Sequence, residues 1–145
     1  MSTLEDLLSR DTQRVWAASS EVAQTRDAQE LTLLADHLEQ IQAATDGLDL
    51  GGARYPNNER LKFALGKLEF WRSKRGCLCQ LYPDYLFYNP EKEQTAGNVR
   101  ILEQTDDAVN WKSNYHCECT ICGHKYRVES GEYHYTWWQW KTDAP

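Results

Sequence analysis

Cys117-Glu118-Cys119-Thr120-Ile121-Cys122-Gly123, read together with Cys77-Leu78-Cys79, decides how the second half of this chain folds. Cys119 and Cys122 have the two-residue spacing common in zinc-binding turns, and Gly123 follows at once. A backbone that curls around a metal ion often needs a positive φ to close the turn, and glycine tolerates it. Two close cysteine pairs, brought together by the chain between them, supply the four thiolates of a closed tetrahedral site. The spacing assigns Cys77, Cys79, Cys119 and Cys122 to one structural Zn2+. Cys117, His116 and His124 lie within reach of the same turn and are rival ligands.

Upstream of Gly76 the pattern is helical. Ser2 with Glu5 fits a capping box, followed by Leu4, Leu7, Leu8, Val15 and Trp16. Leu31, Leu34, Leu38 and Ile41 form a second stripe, ended by Asp46-Gly47. After a loop over 48–58, Asn57 or Asn58 caps a third helix with Leu61, Ala64, Leu65, Leu68 and Trp71 on one face. Downstream of Gly76 the composition turns to β. Strands are expected over 99–104, 125–129 and 133–140, with Ser130-Gly131-Glu132 as a hairpin turn. In the last strand alternation puts Tyr133, Tyr135 and Trp137 on one face and His134, Thr136, Trp138 and Trp140 on the other. One face is expected to be core, and the face with His134, Trp138 and Trp140 to be covered by the chain or to be a binding patch. The expected class is α+β: a three-helix segment (1–75) and an antiparallel zinc-binding segment (76–145), as two units or with one shared core.

The net charge of −6 is unevenly spread. Residues 1–50 hold ten Asp/Glu against three Arg, residues 51–75 two Glu against seven Lys/Arg, and residues 76–145 ten Asp/Glu against six Lys/Arg. Such a molecule repels nucleic-acid backbones and attracts basic proteins. The basic stretch reads as a solvated helix face paired with the acidic helices beside it. No apolar run is long enough to span a membrane. The first residues show no basic segment leading into an apolar one, and five cysteines is an odd number, so a reducing cytoplasm is expected.

The two metal-binding turns, with Tyr126 and Val128 on one face of the strand after the second, resemble a zinc ribbon over roughly residues 76–130. The one-residue spacing of Cys77 and Cys79 and the long insert depart from that pattern. Catalysis is disfavoured, because four cysteines close the coordination sphere and no Ser/His/Asp, phosphate-loop or paired-carboxylate motif is present. His116-Cys117-Glu118 before Cys119-x-x-Cys122 shares residue types with zinc deaminases, but their two elements lie far apart in sequence. In size, acidity and lack of catalytic apparatus the chain is similar to bacterial immunity proteins. That resemblance implies a cytoplasmic, non-enzymatic inhibitor that occludes the active site of a basic toxin, with no membrane or small-molecule partner. The alternative is a zinc-ribbon nucleic-acid-binding or transcription-associated module.

Overall fold

Ser2 opens the first helix through its hydroxyl, which accepts the Glu5 N–H at 3.1 Å. Helix α1 then runs Thr3–Leu8. The computed structural model describes residues 2–52, 56–74, 76–132 and 135–143. The chain divides into two compact units, Met1–Arg75 and Gly76–Pro145. Its class is α+β, with helices in the first part and a four-stranded antiparallel sheet in the second.

Five helices replace the three expected in the first unit, among the described residues. Leu7 and Val15 of the first stripe are buried but Leu8 and Trp16 are exposed, and each of the first two stripes is broken by a local polar or backbone event. Asp11 accepts the N–H groups of Gln13 and Arg14 and starts a separate helix α2, Thr12–Gln24. Arg10, at φ +58°, makes the corner before it. Asp27 caps α3 (Ala28–Asp36) in the same way. His37, at φ −106° and ψ 18°, separates α3 from α4 (Leu38–Thr45). Short acidic side chains offer the backbone a partner outside the helical ladder, so they divide helices that periodicity alone would join. Leu31, Leu34, Leu38 and Ile41 are all fully buried across that break.

Gly47, at φ +76°, ends α4 as expected. Asn57 and Asn58 do not cap the next helix; Pro56 occupies the cap position of α5, Asn57–Ser73. The two amides instead hold the preceding loop. Asn58 accepts the Leu50 N–H at 2.8 Å and donates to the Leu48 carbonyl, and Asn57 donates to the Leu50 carbonyl. That seats Leu50 against Val15 and Leu61. Helix α5 packs on α2 and α3. Its Lys67 is buried, and the ammonium donates to the carbonyls of Ala23 (3.0 Å) and Thr25 (2.7 Å) at the end of α2. A cation there satisfies helix-end carbonyls and complements the helix dipole.

The second unit begins with a 3-10 helix over Leu78–Asp84, then α6 (Pro90–Thr95), capped by Asn89. The sheet order is β1-β2-β3-β4: Val99–Asp107, Lys112–Cys119, Lys125–Glu132 and Thr136–Thr142. Strand β2 was not anticipated from the sequence. Its inward residues are Tyr115, Cys117 and Cys119, alternating with Asn114, His116 and Glu118, so only one of its core residues is of a strongly β-forming type. Ser130-Gly131-Glu132 is not the turn. Those residues are the end of β3, paired with Trp138, Trp137 and Thr136. Glycine is there for space: a Cβ at Gly131 would collide with the Trp137 indole. Of the expected 133–140 strand, Tyr133 and His134 lie outside the described residues.

Trp140, on the face read as a cover or a binding patch, instead marks the core face of β4. It is fully buried, stacks on Tyr82 with ring centroids 4.2 Å apart, and donates its indole N–H to the Tyr88 carbonyl at 2.8 Å. Trp137 and Trp138 are each half-buried. Tyr82 donates in turn to the buried Glu93 at 2.7 Å. Among the described residues, no helix is long and apolar enough to cross a membrane. Gly131→Ala is expected to destabilise the protein by about 1–3 kcal/mol through overpacking against the indole. Thermal unfolding of the variant checks this; an unchanged midpoint would show that the ring moves aside freely.

Candidate metal centre

The second cysteine pair sits at the end of β2 and in the turn that follows. Cys119 pairs with Val99 at the start of β1. The chain then reverses through a knuckle in which Gly123 (φ +78°) donates its N–H to the Cys119 carbonyl at 2.9 Å. The Cys119 N–H reaches the His124 carbonyl at 2.9 Å. The Ile121 N–H points at the Cys119 sulfur, 3.4 Å away. Thr120 ties the knuckle down by donating its hydroxyl to the Gly97 carbonyl at 2.7 Å. The first pair leads into the 3-10 helix, whose opening bond runs from the Gln80 N–H to the Cys77 carbonyl at 3.0 Å.

These two turns bring the four sulfurs together. Cys77 Sγ lies 3.7 Å from Cys119 Sγ, and Cys79 Sγ lies 3.4 Å from Cys122 Sγ. All four ligand atoms are within 4.8 Å of one another. A tetrahedron with metal–thiolate bonds of about 2.3 Å has edges of about 3.8 Å. The cluster has those dimensions, so Cys77, Cys79, Cys119 and Cys122 are placed to hold one metal ion.

Burial favours the neutral thiol at two of the four sulfurs, so a metal must displace protons to bind here. Burial raises the Cys77 thiol above its ordinary value, and burial likewise raises Cys79. Burial acts in the same direction on Cys119, but the N–H groups of Cys122 and Ile121 directed at its sulfur outweigh it and lower that thiol. Tyr126 donates its hydroxyl to the Cys79 sulfur at 3.2 Å. Four thiolates in one place require a compensating positive charge, and a bound metal supplies it while displacing the protons. Cys122 is exposed, and the thiols border a depression of about 310 Å³ that also touches His124 and Tyr126.

Cys117 and His116 are engaged elsewhere, and His124 borders the cluster without being one of its clustered ligands. Cys117 is fully buried on the core face of β2, with burial pushing its thiol up to about 12, and it is not in the cluster. His116 lies on the opposite face of β2, where its Nε2 pairs with Asp143 Oδ2 at 2.5 Å. His124 packs beside Tyr126, with ring centroids 4.8 Å apart and the ring planes tilted by 59°. Tyr126 and Thr120 are the contributors that sequence reading missed. Tyr126 was legible only as a core residue of β3, and nothing in the local sequence aims its hydroxyl at Cys79.

No family model matches the chain, and neither a curated protein nor a solved structure resembles it significantly. The likeness to zinc ribbons therefore rests on residue pattern alone, and that to immunity proteins on size, acidity and the lack of a catalytic motif.

Proposed function

We propose that the chain is a zinc-containing protein-binding protein of the cytoplasm, an acidic inhibitor of the immunity type that occludes the active site of a basic toxin and turns over no substrate. The metal is Zn2+ in a structural role: four thiolates in tetrahedral array suit zinc or iron, and a closed sphere leaves no position for a substrate. Acidic groups of the helical unit would face the partner's basic site in place of phosphates and steer its approach.

The observation that carries this reading is how the basic residues of α5 are spent. Lys67 is buried against carbonyls of α2, and Arg72 pairs with Glu39 at 2.8 Å. The stretch therefore offers less free positive charge than its sequence suggests. On the acidic side, Asp11 and Asp27 are committed as helix caps, and Asp6 pairs with Arg14. Glu5, Glu21, Asp36 and Asp46 are exposed and make no ion pair among the described residues.

Glu21, Asp36 and Asp46 are the residues to reverse, because none of them holds the fold. The partner, isolated with the tagged chain from its native cells and identified, is then produced pure for kinetics. The triple change Glu21→Lys, Asp36→Lys and Asp46→Lys is expected to slow association about tenfold at 0.1 M salt and to flatten its salt dependence, with thermal stability unchanged. A nucleic-acid module predicts the reverse. Submicromolar, salt-sensitive binding of a duplex DNA or single-stranded RNA oligonucleotide at 0.15 M salt, strengthened by the same reversals, would replace the inhibitor reading.

A further inference from the structure

The β1–β2 hairpin ends in an apolar tip that the fold does not use. Its loop, 108–111, carries Val109 at 87% exposure and Trp111 at 77%, the highest values among the exposed large hydrophobic side chains. Solvent exposure of a single apolar residue is ordinary, but here two fall within three positions of one loop. Asp107 ties the loop together through three hydrogen bonds. One carboxylate oxygen accepts the N–H groups of Val109 (3.1 Å) and Asn110 (3.2 Å), and the other accepts the Asn110 amide at 2.7 Å. These bonds, the Asn110 side chain foremost, hold the Asp107 carboxyl below the usual range.

Trp111 is also in the wrong conformation for its size. Its φ is +55°, the left-handed region that glycine or asparagine fills without strain. A bulky aromatic residue there is disfavoured, and stability alone would select against it. Strain of this kind persists where the exposed side chain has another use. The surroundings give the chemistry of what meets it. Asp106, exposed, and Asp107, half-buried, adjoin the loop, and the Lys112 ammonium across from Asp107 is shared with Glu129 at 3.5 Å. The tip is thus an indole and an isopropyl group set in acid. An anionic bilayer would repel it.

We propose that Val109 and Trp111 form an anchor that inserts into a small apolar socket, rimmed by Lys or Arg, on a protein partner. This rests on the protein-binding reading above and names one of its contact points. Clefts that bind anionic substrates in basic proteins have such rims, and a buried Trp is the residue type most often found at an interface hot spot. The tip is too small to be a whole interface, since stable ones bury about 1,000 Å² or more. It fixes the register of a complex whose encounter is driven by charge.

The test has a partner-free arm and a partner arm. Trp111→Asn relieves the backbone strain, so the free, metal-loaded protein should melt about 2–5 °C higher. A lower midpoint would make Trp111 a structural residue and overturn the proposal. In the partner arm, a benzophenone amino acid at position 109 is crosslinked in native cells. The captured protein is identified, its crosslinked peptide is mapped, and the protein is produced pure for binding. Trp111→Asn should then weaken its binding at least thirtyfold, with the crosslink on apolar residues flanked by Lys or Arg. Binding within twofold of wild type overturns the proposal, as does a crosslink only to a second copy of this chain or no crosslink at all. Insertion of the tip into vesicles of phosphatidylcholine and phosphatidylserine (2:1) overturns it as well. The charge-reversal triple, measured on the same purified protein, separates the two ideas. If the triple slows association but Trp111→Asn does nothing, the anchor fails and the inhibitor reading stands. If neither affects binding, the charge-steered reading fails too.

Discussion

Cys119→Ser is expected to abolish metal binding and to unfold residues 76–145, while the helices of the first unit persist. Structural zinc contributes folding free energy on the order of 10 kcal/mol in small domains, comparable to the whole stability of an ordinary one. Cys119 is also where the site meets the sheet. It pairs with Val99 in β1, and its carbonyl and sulfur both organise the knuckle. Elemental analysis should give one metal per wild-type chain and none in the variant. Circular dichroism should show the sheet signal lost and the helical signal kept, and a strong chelator should reproduce both results on the wild type. Cys117→Ser is the control: Cys117 lies outside the cluster, so its metal content stays at one. A Cys119→Ser protein that retains its metal and its sheet would remove the cluster from consideration as a metal centre.

Trp140→Ala is expected to cost about 3–5 kcal/mol, the range for deleting a large buried aromatic side chain. Three losses coincide at this position. The Tyr82 ring loses its stacking partner, the Tyr88 carbonyl loses its donor in a buried setting, and Tyr126 loses an edge contact at 5.8 Å. Tyr126 also donates to Cys79, so loosening it reaches the metal centre. Denaturant titration of the metal-loaded protein measures the cost, and the rate of metal transfer to a chromophoric chelator should rise in parallel. A loss below about 1 kcal/mol would mean that the aromatic cluster repacks around the hole.

Much of this architecture is legible in the residues. The helix stripes found the core, because Leu31, Leu34, Leu38 and Ile41 face inward whether or not the helix is continuous. The breaks at Asp11 and His37 were missed, since periodicity reports which face is apolar and not where the backbone turns. The cysteine spacing brought out the four-sulfur cluster for a physical reason: a metal-binding turn is short and needs its ligands at fixed offsets. What the sequence hid were long-range polar contacts, such as Lys67 reaching the end of α2, and a glycine serving an indole instead of a turn. Gly131 carries the same letter in either role, and only the position of Trp137 across the ladder distinguishes them.

The metal-binding turns also set a timetable for biosynthesis. Cys77 and Cys119 are separated by 42 positions. At about 5–20 residues per second, the ribosome takes roughly 2–8 s to deliver the second pair after the first. During that interval the first unit has already left the exit tunnel in full, while Cys77 and Cys79 stand as a naked dithiol with no partners. A nascent chain in that state is open to oxidants and to ions that favour two-coordinate sulfur. If the cluster takes up a metal, the supply of reducing equivalents and of that metal during translation would bear on how much intact protein a cell obtains.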